Sequence, residues 1–429
     1  MQNIDGARPV LSDNFSTYIA VVLIVSLFFL WGVANNLNDI LIKQFKKAFE
    51  LSDFKAGLVQ SAFYVGYFLF AIPASICMRR FGYKAALVSG LSLYAGGAFL
   101  FYPAAASHTY GLFLLALFVI ASGLAFLETS ANPLVTVLGP AHRATLRLNL
   151  AQSFNPVGSI CAVLIGQHFI LSGVEHTQAE LEAMPAAMSH AYYLSESAAV
   201  QMPYLVIGTV VAFWAVLIAF ARFPTVVHDA PDERSLRAHA GSLMRNSHFA
   251  FAVVAQFFFV GAQIGIWSFL IRYAQGTLPG TPERDAANYL TASLVIFMLG
   301  RFIGTGMMRF THPIKLLAIF AFINISLGAI AVACPGRIGI AALVATSFFM
   351  SIMFPTIFAV GLHGLDDDDR KLGSSFLVMA IVGGAVLTAA MGAVSDGLGI
   401  ASAMAVPMVS FAVVLAFALH CGRPGESHG

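Results

Sequence analysis

Apolar residues run along this chain in long unbroken stretches. They show neither the alternation of a half-buried strand nor the one-sided stripe of a soluble helix. Between polar or Gly/Pro breaks the runs fall at 18–42, 56–77, 84–104, 110–138, 148–171, 203–222, 249–274, 287–308, 314–334, 338–363, 373–395 and 401–421. A helix that crosses a bilayer needs about 20 largely apolar residues. A membrane-barrel strand would alternate over roughly ten residues. These runs are longer and apolar all round, so they predict an all-α integral membrane protein with twelve transmembrane helices.

Two longer stretches are polar. Residues 172–202 carry Glu175, Glu180, Glu182 and Glu196 without Lys or Arg, and residues 223–248 carry Asp229, Asp232, Glu233, Arg234, Arg237 and Arg245. The second lies near the middle of the chain and reads as a linker. The expected organisation is a tail at 1–17, a six-helix bundle at 18–222, a linker at 223–248, a second bundle at 249–421 and a tail at 422–429. Residues 1–16 have no basic run and no cleavage site, so the first apolar run is expected to be a retained helix rather than a signal peptide.

Composition narrows the class. The chain is 59% hydrophobic and 10% charged, against about 25% charged in a soluble domain. Most of its surface must therefore face lipid. A net charge of +2 implies no nucleic-acid partner. Cys77, Cys161, Cys334 and Cys421 form no CxxC pair, so neither a disulfide framework nor a zinc site is expected.

Lys and Arg set the orientation. Loops after even-numbered spans hold Arg79, Arg80, Lys84, Arg143, Arg147, Arg222, Arg234, Arg237, Arg245, Arg309, Lys315, Arg370 and Lys371. Loops after odd-numbered spans hold Lys43, Lys46, Lys47, Lys55, Arg272, Arg284 and Arg337. The bias places even loops and both termini in the cytoplasm. The Lys43–Lys55 cluster runs against it and is partly offset by Glu50 and Asp53.

Two carboxylates sit inside apolar runs, Asp39 in the first span and Glu128 in the fourth; the other acids fall in loops, tails or span ends. A charge at the bilayer centre costs roughly 2.5–3.5 kcal/mol on insertion scales. A proton that neutralises the group removes the penalty for carrying it through a dry state. Such acids point to proton movement or to the holding of a polar solute, against a static pair or a hydrogen bond to a neighbouring amide. Amides accompany them: Asn35, Asn36 and Asn38 in the first span, Asn132, Gln152 and Asn155 in the fourth and fifth, and Gln256, Gln263, Asn288 and Asn324 in the second half. With Trp31 and Trp267, they supply the hydrogen-bonding groups and aromatic faces of a site for a polar solute. Each amide could equally bridge helices, and each Trp could pack against lipid or core.

Arg301 is the one basic residue deep in a span; it could pair with an acid or gate the cytoplasmic side, and reads slightly better as snorkelling to the inner surface. Gly383-Gly384 and Gly300 with Gly304 read as close helix contacts. Asp366 to Asp369 reads as a solvated turn in a cytoplasmic loop, with an interaction with inner-face arginines as the alternative. No HxxxH pair lies on a span and His168 has no ligand partner in sequence, so no metal is expected. No HExxH or GxxxxGK[ST] occurs, and the one GxSxG match, Gly425 to Gly429, stands in the polar tail rather than between a strand and a helix, so neither an enzyme nor ATP drive is expected.

The halves repeat. Pro133 and Gly139 close the fourth span with the spacing of Pro355 and Gly361 in the tenth; Ser153-Phe154 matches Ser375-Phe376; Phe28-Phe29 with Gly32 resembles Phe257-Phe258 with Gly261; Arg80-Phe81 with Lys84 resembles Arg309-Phe310 with Lys315. The common order predicts two six-helix halves of the same orientation, as in major facilitator transporters, with a solute site near the midplane between halves.

Particular strings sharpen this: Asn35-Asn36-Leu37-Asn38-Asp39, Leu127-Glu128-Thr129-Ser130-Ala131-Asn132-Pro133, Arg147-Leu148-Asn149-Leu150-Ala151-Gln152-Ser153-Phe154-Asn155 and Pro355-Thr356-Ile357-Phe358. They resemble the fucose permease family, the fucose–galactose–glucose:proton symporter branch. The likeness runs from about residue 22 to residue 415. The general signature after the second span is degraded, with Ser75 and Arg79 in place of its Gly and Asp, as in that branch.

The resemblance implies proton-driven sugar import by alternating access, without a cofactor, in a bacterial inner membrane and as a monomer. L-fucose is the first substrate; glucose, galactose or an amino sugar, and an uncoupled facilitator, are the alternatives. It matches Asp39 and Glu128 to the family's functional acids, and Trp31, Asn36, Gln152 and Asn155 to cavity positions. Phe354 stands where some relatives have Tyr, which removes one hydroxyl contact. The expected substrate set is Trp31, Asn36, Asn132, Gln152, Asn155, Gln263, Trp267 and Phe354.

Overall fold

The computed structural model describes residues 22–34, 37, 49, 53–165, 169, 184–221 and 236–422, among which there is no strand. In chain order the helices are α1 (Val22–Ala34), α2 (Asp53–Ala106), α3 (Tyr110–Val137), α4 (Ala144–Gln152), α5 (Phe154–Ile165), α6 (Ala186–Ala198), α7 (Gln201–Phe220), α8 (Leu236–Arg245), α9 (Ser247–Thr277), α10 (Glu283–Met307), α11 (Pro313–Ala333), α12 (Arg337–Met350), α13 (Met353–Gly361), α14 (Asp367–Met379), α15 (Gly383–Leu398), α16 (Ile400–Ala403) and α17 (Ala405–Cys421).

Among the described residues, nine helical stretches are long and apolar enough to cross a membrane. One of them, Ala62–Ala106, holds two predicted spans that meet at Gly82, where φ is 82° and ψ 170°. A side chain there would meet the Cβ penalty that glycine avoids. With α1 and the α4–α5 pair, every predicted run is matched by helix. The fifth, tenth and twelfth spans are each interrupted, at Ser153, at Ser351–Ile352 and at Met404. Pro156, Pro355 and Pro407 follow these breaks. A proline inside a helix removes a backbone donor and clashes with the preceding turn.

Side-chain placement is that of a protein in lipid. Large apolar groups such as Leu115, Phe213, Ile303, Phe322 and Val409 are exposed, while Ser75, Glu128, Gln256, Asn324 and Thr346 are buried. Gly300 and Gly383 lie against the backbone carbonyls of Phe348 and Phe257, the close contacts expected of them.

The described residues group into two compact units. One draws on Leu11–Ala131 and Phe154–Phe223, the other on Asn132–Ser153 and Pro224–Gly429. In the first, α2 packs along α7, the Trp214 indole donates to Ser26 Oγ at 2.6 Å, and Lys84 Nζ donates to the Ala221 carbonyl at 2.9 Å. In the second, α9 lies against α13, α15 and α17, α10 against α12, and α4 against α13 and α10. Residues Asn132–Ser153 come from the first sequence half but pack with the second.

Asp366–Asp369 is not a solvated turn. Asp366 caps α14 by accepting from the Asp369 N–H at 2.7 Å, Lys371 Nζ pairs with Asp367 at 2.5 Å, and Asp369 is buried against His239 Nδ1 at 2.6 Å. Acids at a helix N-terminus satisfy its free N–H groups and oppose its dipole. His239 and Leu243 form the buried face of α8, so the pair pins this short helix to α14. Replacing His239 with Ala leaves Asp369 without this partner in a buried place. The expected loss is about 1–3 kcal/mol, read as a lower melting temperature of the detergent-solubilised protein. An unchanged melting temperature would show that the pair adds nothing.

Candidate functional site

The sequence builds α3 from Leu, Ala and Phe with almost no polar residue before Glu128. That carboxyl is 1% exposed, and neither oxygen has a hydrogen-bond partner among the described residues. Apolar Leu124, Ala125, Leu127 and Ala131 around it are buried as well. Ser130 offers the carboxyl no donor, because its hydroxyl donates to the Phe126 carbonyl at 2.6 Å. A buried carboxyl left without donors is poised to bind a proton or a ligand hydroxyl.

One turn further along α3, Asn132 begins a chain of polar contacts. Gln152 Nε2 donates to Asn132 Oδ1 at 3.0 Å, while Asn132 Nδ2 has no partner among the described residues. Arg301 Nη1 donates to the Gln152 carbonyl at 3.1 Å and lies 3.5 Å from Gln152 Oε1. Arg301 Nε donates to the Ser351 carbonyl at 2.7 Å, and its guanidinium sits 4.7 Å from the centre of the Phe297 ring. Phe297 in turn meets Trp267 edge-on at 5.0 Å. Trp267 is oriented from the other side by its indole N–H, which donates to Ser347 Oγ at 3.2 Å. Gln263, one turn before Trp267 on α9, is half-buried and shares its helix face. Phe354 is nearly buried and stacks on Phe358.

In the other unit, Asn155 Nδ2 donates to the Phe28 carbonyl at 3.3 Å and so ties α5 to α1. Glycine makes that approach possible: Gly32 lies against the Asn155 carbonyl and Gly158 against the Phe29 carbonyl, so a side chain at either would force the helices apart. Trp31 packs against Phe28, and its indole N–H has no partner among the described residues. Asp39 and Asn36 lie outside the described residues, as does His168. Of the remaining amides, Gln256 and Asn324 are fully buried and Asn288 is exposed.

Arg301 does not snorkel. It is 4% exposed, and oxygen acceptors inside the fold take up its Nε and Nη1 donors while an aromatic ring lies beside its guanidinium. Its isolation as a lone deep cation was visible in the sequence; its acceptors were not. Among the described residues no cluster of three His, Cys, Asp or Glu could hold a metal.

The Major Facilitator Superfamily model matches residues 15–389. The chain is 49% identical over 408 residues to the L-fucose-proton symporter of Escherichia coli (strain K12), covering 94% of this chain and 93% of that protein. It is 37% identical over 401 residues to the glucose/galactose transporter of Brucella abortus, covering 93% of each. A crystal structure of the E. coli fucose:proton symporter aligns with a TM-score of 0.88 at 47% identity, over 95% of this chain and 100% of that one.

Proposed function

We propose that this chain, which belongs to the Major Facilitator Superfamily, is a proton-coupled monosaccharide importer whose first substrate is L-fucose. Identity of 49% along nearly the whole chain to an L-fucose-proton symporter carries the reading. The site agrees with it chemically. Glu128 supplies a buried group able to take and release a proton. Asn132 and Gln152 supply amide donors and acceptors for hydroxyls, and Trp31, Trp267 and Phe354 supply apolar faces for a pyranose ring. Asp39, Asn36, Asn155 and Gln263 complete the proposed set. The protein is a transporter and not an enzyme.

In this scheme the halves at 18–222 and 249–421 alternate access to the sugar. Protonation of Asp39 or Glu128 favours the outward, sugar-binding state, and loss of the proton to the cytoplasm resets it. No resident cofactor enters, because the proton gradient supplies the drive. The proposed setting is a bacterial inner membrane, as a monomer with both termini cytoplasmic.

The reading is tested by recording external pH in lightly buffered, energy-depleted cells that make the protein, as L-fucose, D-galactose, D-glucose and N-acetylglucosamine are added in turn. Alkalinisation with L-fucose is expected. Alkalinisation with D-glucose or D-galactose alone would move the substrate toward that of the Brucella relative. Sugar entry that only equilibrates, with no pH change, would make the protein a facilitator.

A further inference from the structure

Arg301 donates to two carbonyls of the same unusual kind. In a helix the Gln152 carbonyl would accept from the N–H four residues on, and the Ser351 carbonyl likewise. Those residues are Pro156 and Pro355, and neither has an N–H. One guanidinium therefore replaces two missing backbone donors, at the breaks of the fifth and tenth spans, from its seat on α10. A second bond runs the same way, from Asn149 Nδ2 on α4 to Thr356 Oγ1 on α13 at 3.2 Å.

We infer that Arg301 is a positioning residue of the transport cycle: it clasps the fifth span to the eighth and tenth, and releasing the fifth span from it opens the cytoplasmic side. This rests on the transporter reading given above. The two ends of the clasp differ. The bond to Ser351 is short and joins α10 to the α12–α13 break within the second sequence half, so it persists through a motion of halves. The bonds to Gln152 are longer and tie in a segment of the first half, so they are the ones that part.

The acceptors are neutral, and among the described residues no carboxylate stands within ion-pair distance of Arg301. Separation therefore strands no buried counter-charge. The Gln152 carbonyl, however, has no donor within its own helix and cannot stay bare in a dry interior. The clasp thus has two stable states, dry and closed or wet and open. Gln152 also connects the clasp to the sugar. Its side chain already serves Asn132, and a sugar hydroxyl that takes Oε1 replaces the weaker of the Arg301 contacts.

The test places a cysteine at Ser153, which is fully buried at the break, in full-length protein whose four native cysteines are serine. Its labelling by a membrane-impermeant maleimide is followed in inside-out vesicles. The parent should label slowly, and faster with L-fucose. Arg301→Gln should label about tenfold faster without sugar, and Arg301→Lys should fall between, since a single ammonium does not reproduce the guanidinium fork. Pro156→Ala returns an N–H to the Gln152 carbonyl and strengthens the helix, yet it should also accelerate labelling by removing the need for Arg301. A purely structural arginine predicts no effect of that substitution, and it decides the matter if Arg301→Gln fails to reach the membrane. Parent-like labelling of Pro156→Ala together with parent-like or missing Arg301→Gln would overturn the clasp. Faster labelling of the variants, with no sugar affecting the parent, would uphold the clasp and sink the sugar assignment instead.

Discussion

Glu128→Gln is expected to abolish accumulation of sugar against its gradient while leaving exchange of labelled for unlabelled sugar in place. The amide has nearly the shape of the acid and keeps hydrogen-bonding capacity, but it cannot take or release a proton. Glu128 is the group for which this matters, because its carboxyl is buried and neither oxygen is engaged by a described neighbour. Each unit of pH difference can sustain about tenfold accumulation by a one-proton symporter, since a tenfold ratio and one pH unit are the same free energy. The variant should yield none of it. Vesicles with an imposed pH gradient measure accumulation, and counterflow measures exchange. Asp39→Asn belongs in the same experiment, and at least one of the two variants should still bind or exchange sugar. Normal accumulation by both would end the coupling proposal.

Gln152→Ala is expected to weaken sugar binding by about 10- to 100-fold. The side chain gives Asn132 Oδ1 its donor, and Asn132 Nδ2 already lacks a partner among the described residues. Truncation leaves Asn132 unpaired at both ends, and a buried polar group without a partner costs about 1–3 kcal/mol. The same change removes an acceptor from any sugar hydroxyl. Equilibrium binding of labelled sugar measures the first effect, and a melting curve separates it from general destabilisation. Unchanged affinity with a lowered melting temperature would make Gln152 a helix bridge and nothing more.

Much of this architecture was legible along the chain. The apolar runs are set by what hydrocarbon excludes, and each predicted span reappears as helix over most of its described residues. The break between the second and third runs was legible as well, and Gly82, whose backbone angles suit glycine, forms the turn there. Glu128 stands out because a buried acid is rare for reasons of solvation, and burial followed. The polar chain was legible only in pieces. Asn132, Gln152 and Trp267 could be named from residue type, yet the residue that joins them, Arg301, reads as an inner-surface anchor until its acceptors are seen. Asp366–Asp369 failed in the same way, since four consecutive acids look solvated unless a histidine more than a hundred residues away is known to face one of them.

The sequence by itself determined the helical class, the number of spans, the lipid-facing character and the few groups that can do chemistry. These follow from composition and local spacing, which the bilayer judges residue by residue. Tertiary structure alone decided which partners those groups have. Pro156 and Pro355 announce two carbonyls without donors, but a carbonyl's replacement donor is fixed by distance in space. Arg301 lies 149 residues beyond Gln152, on another helix, and nothing local to either residue names the other.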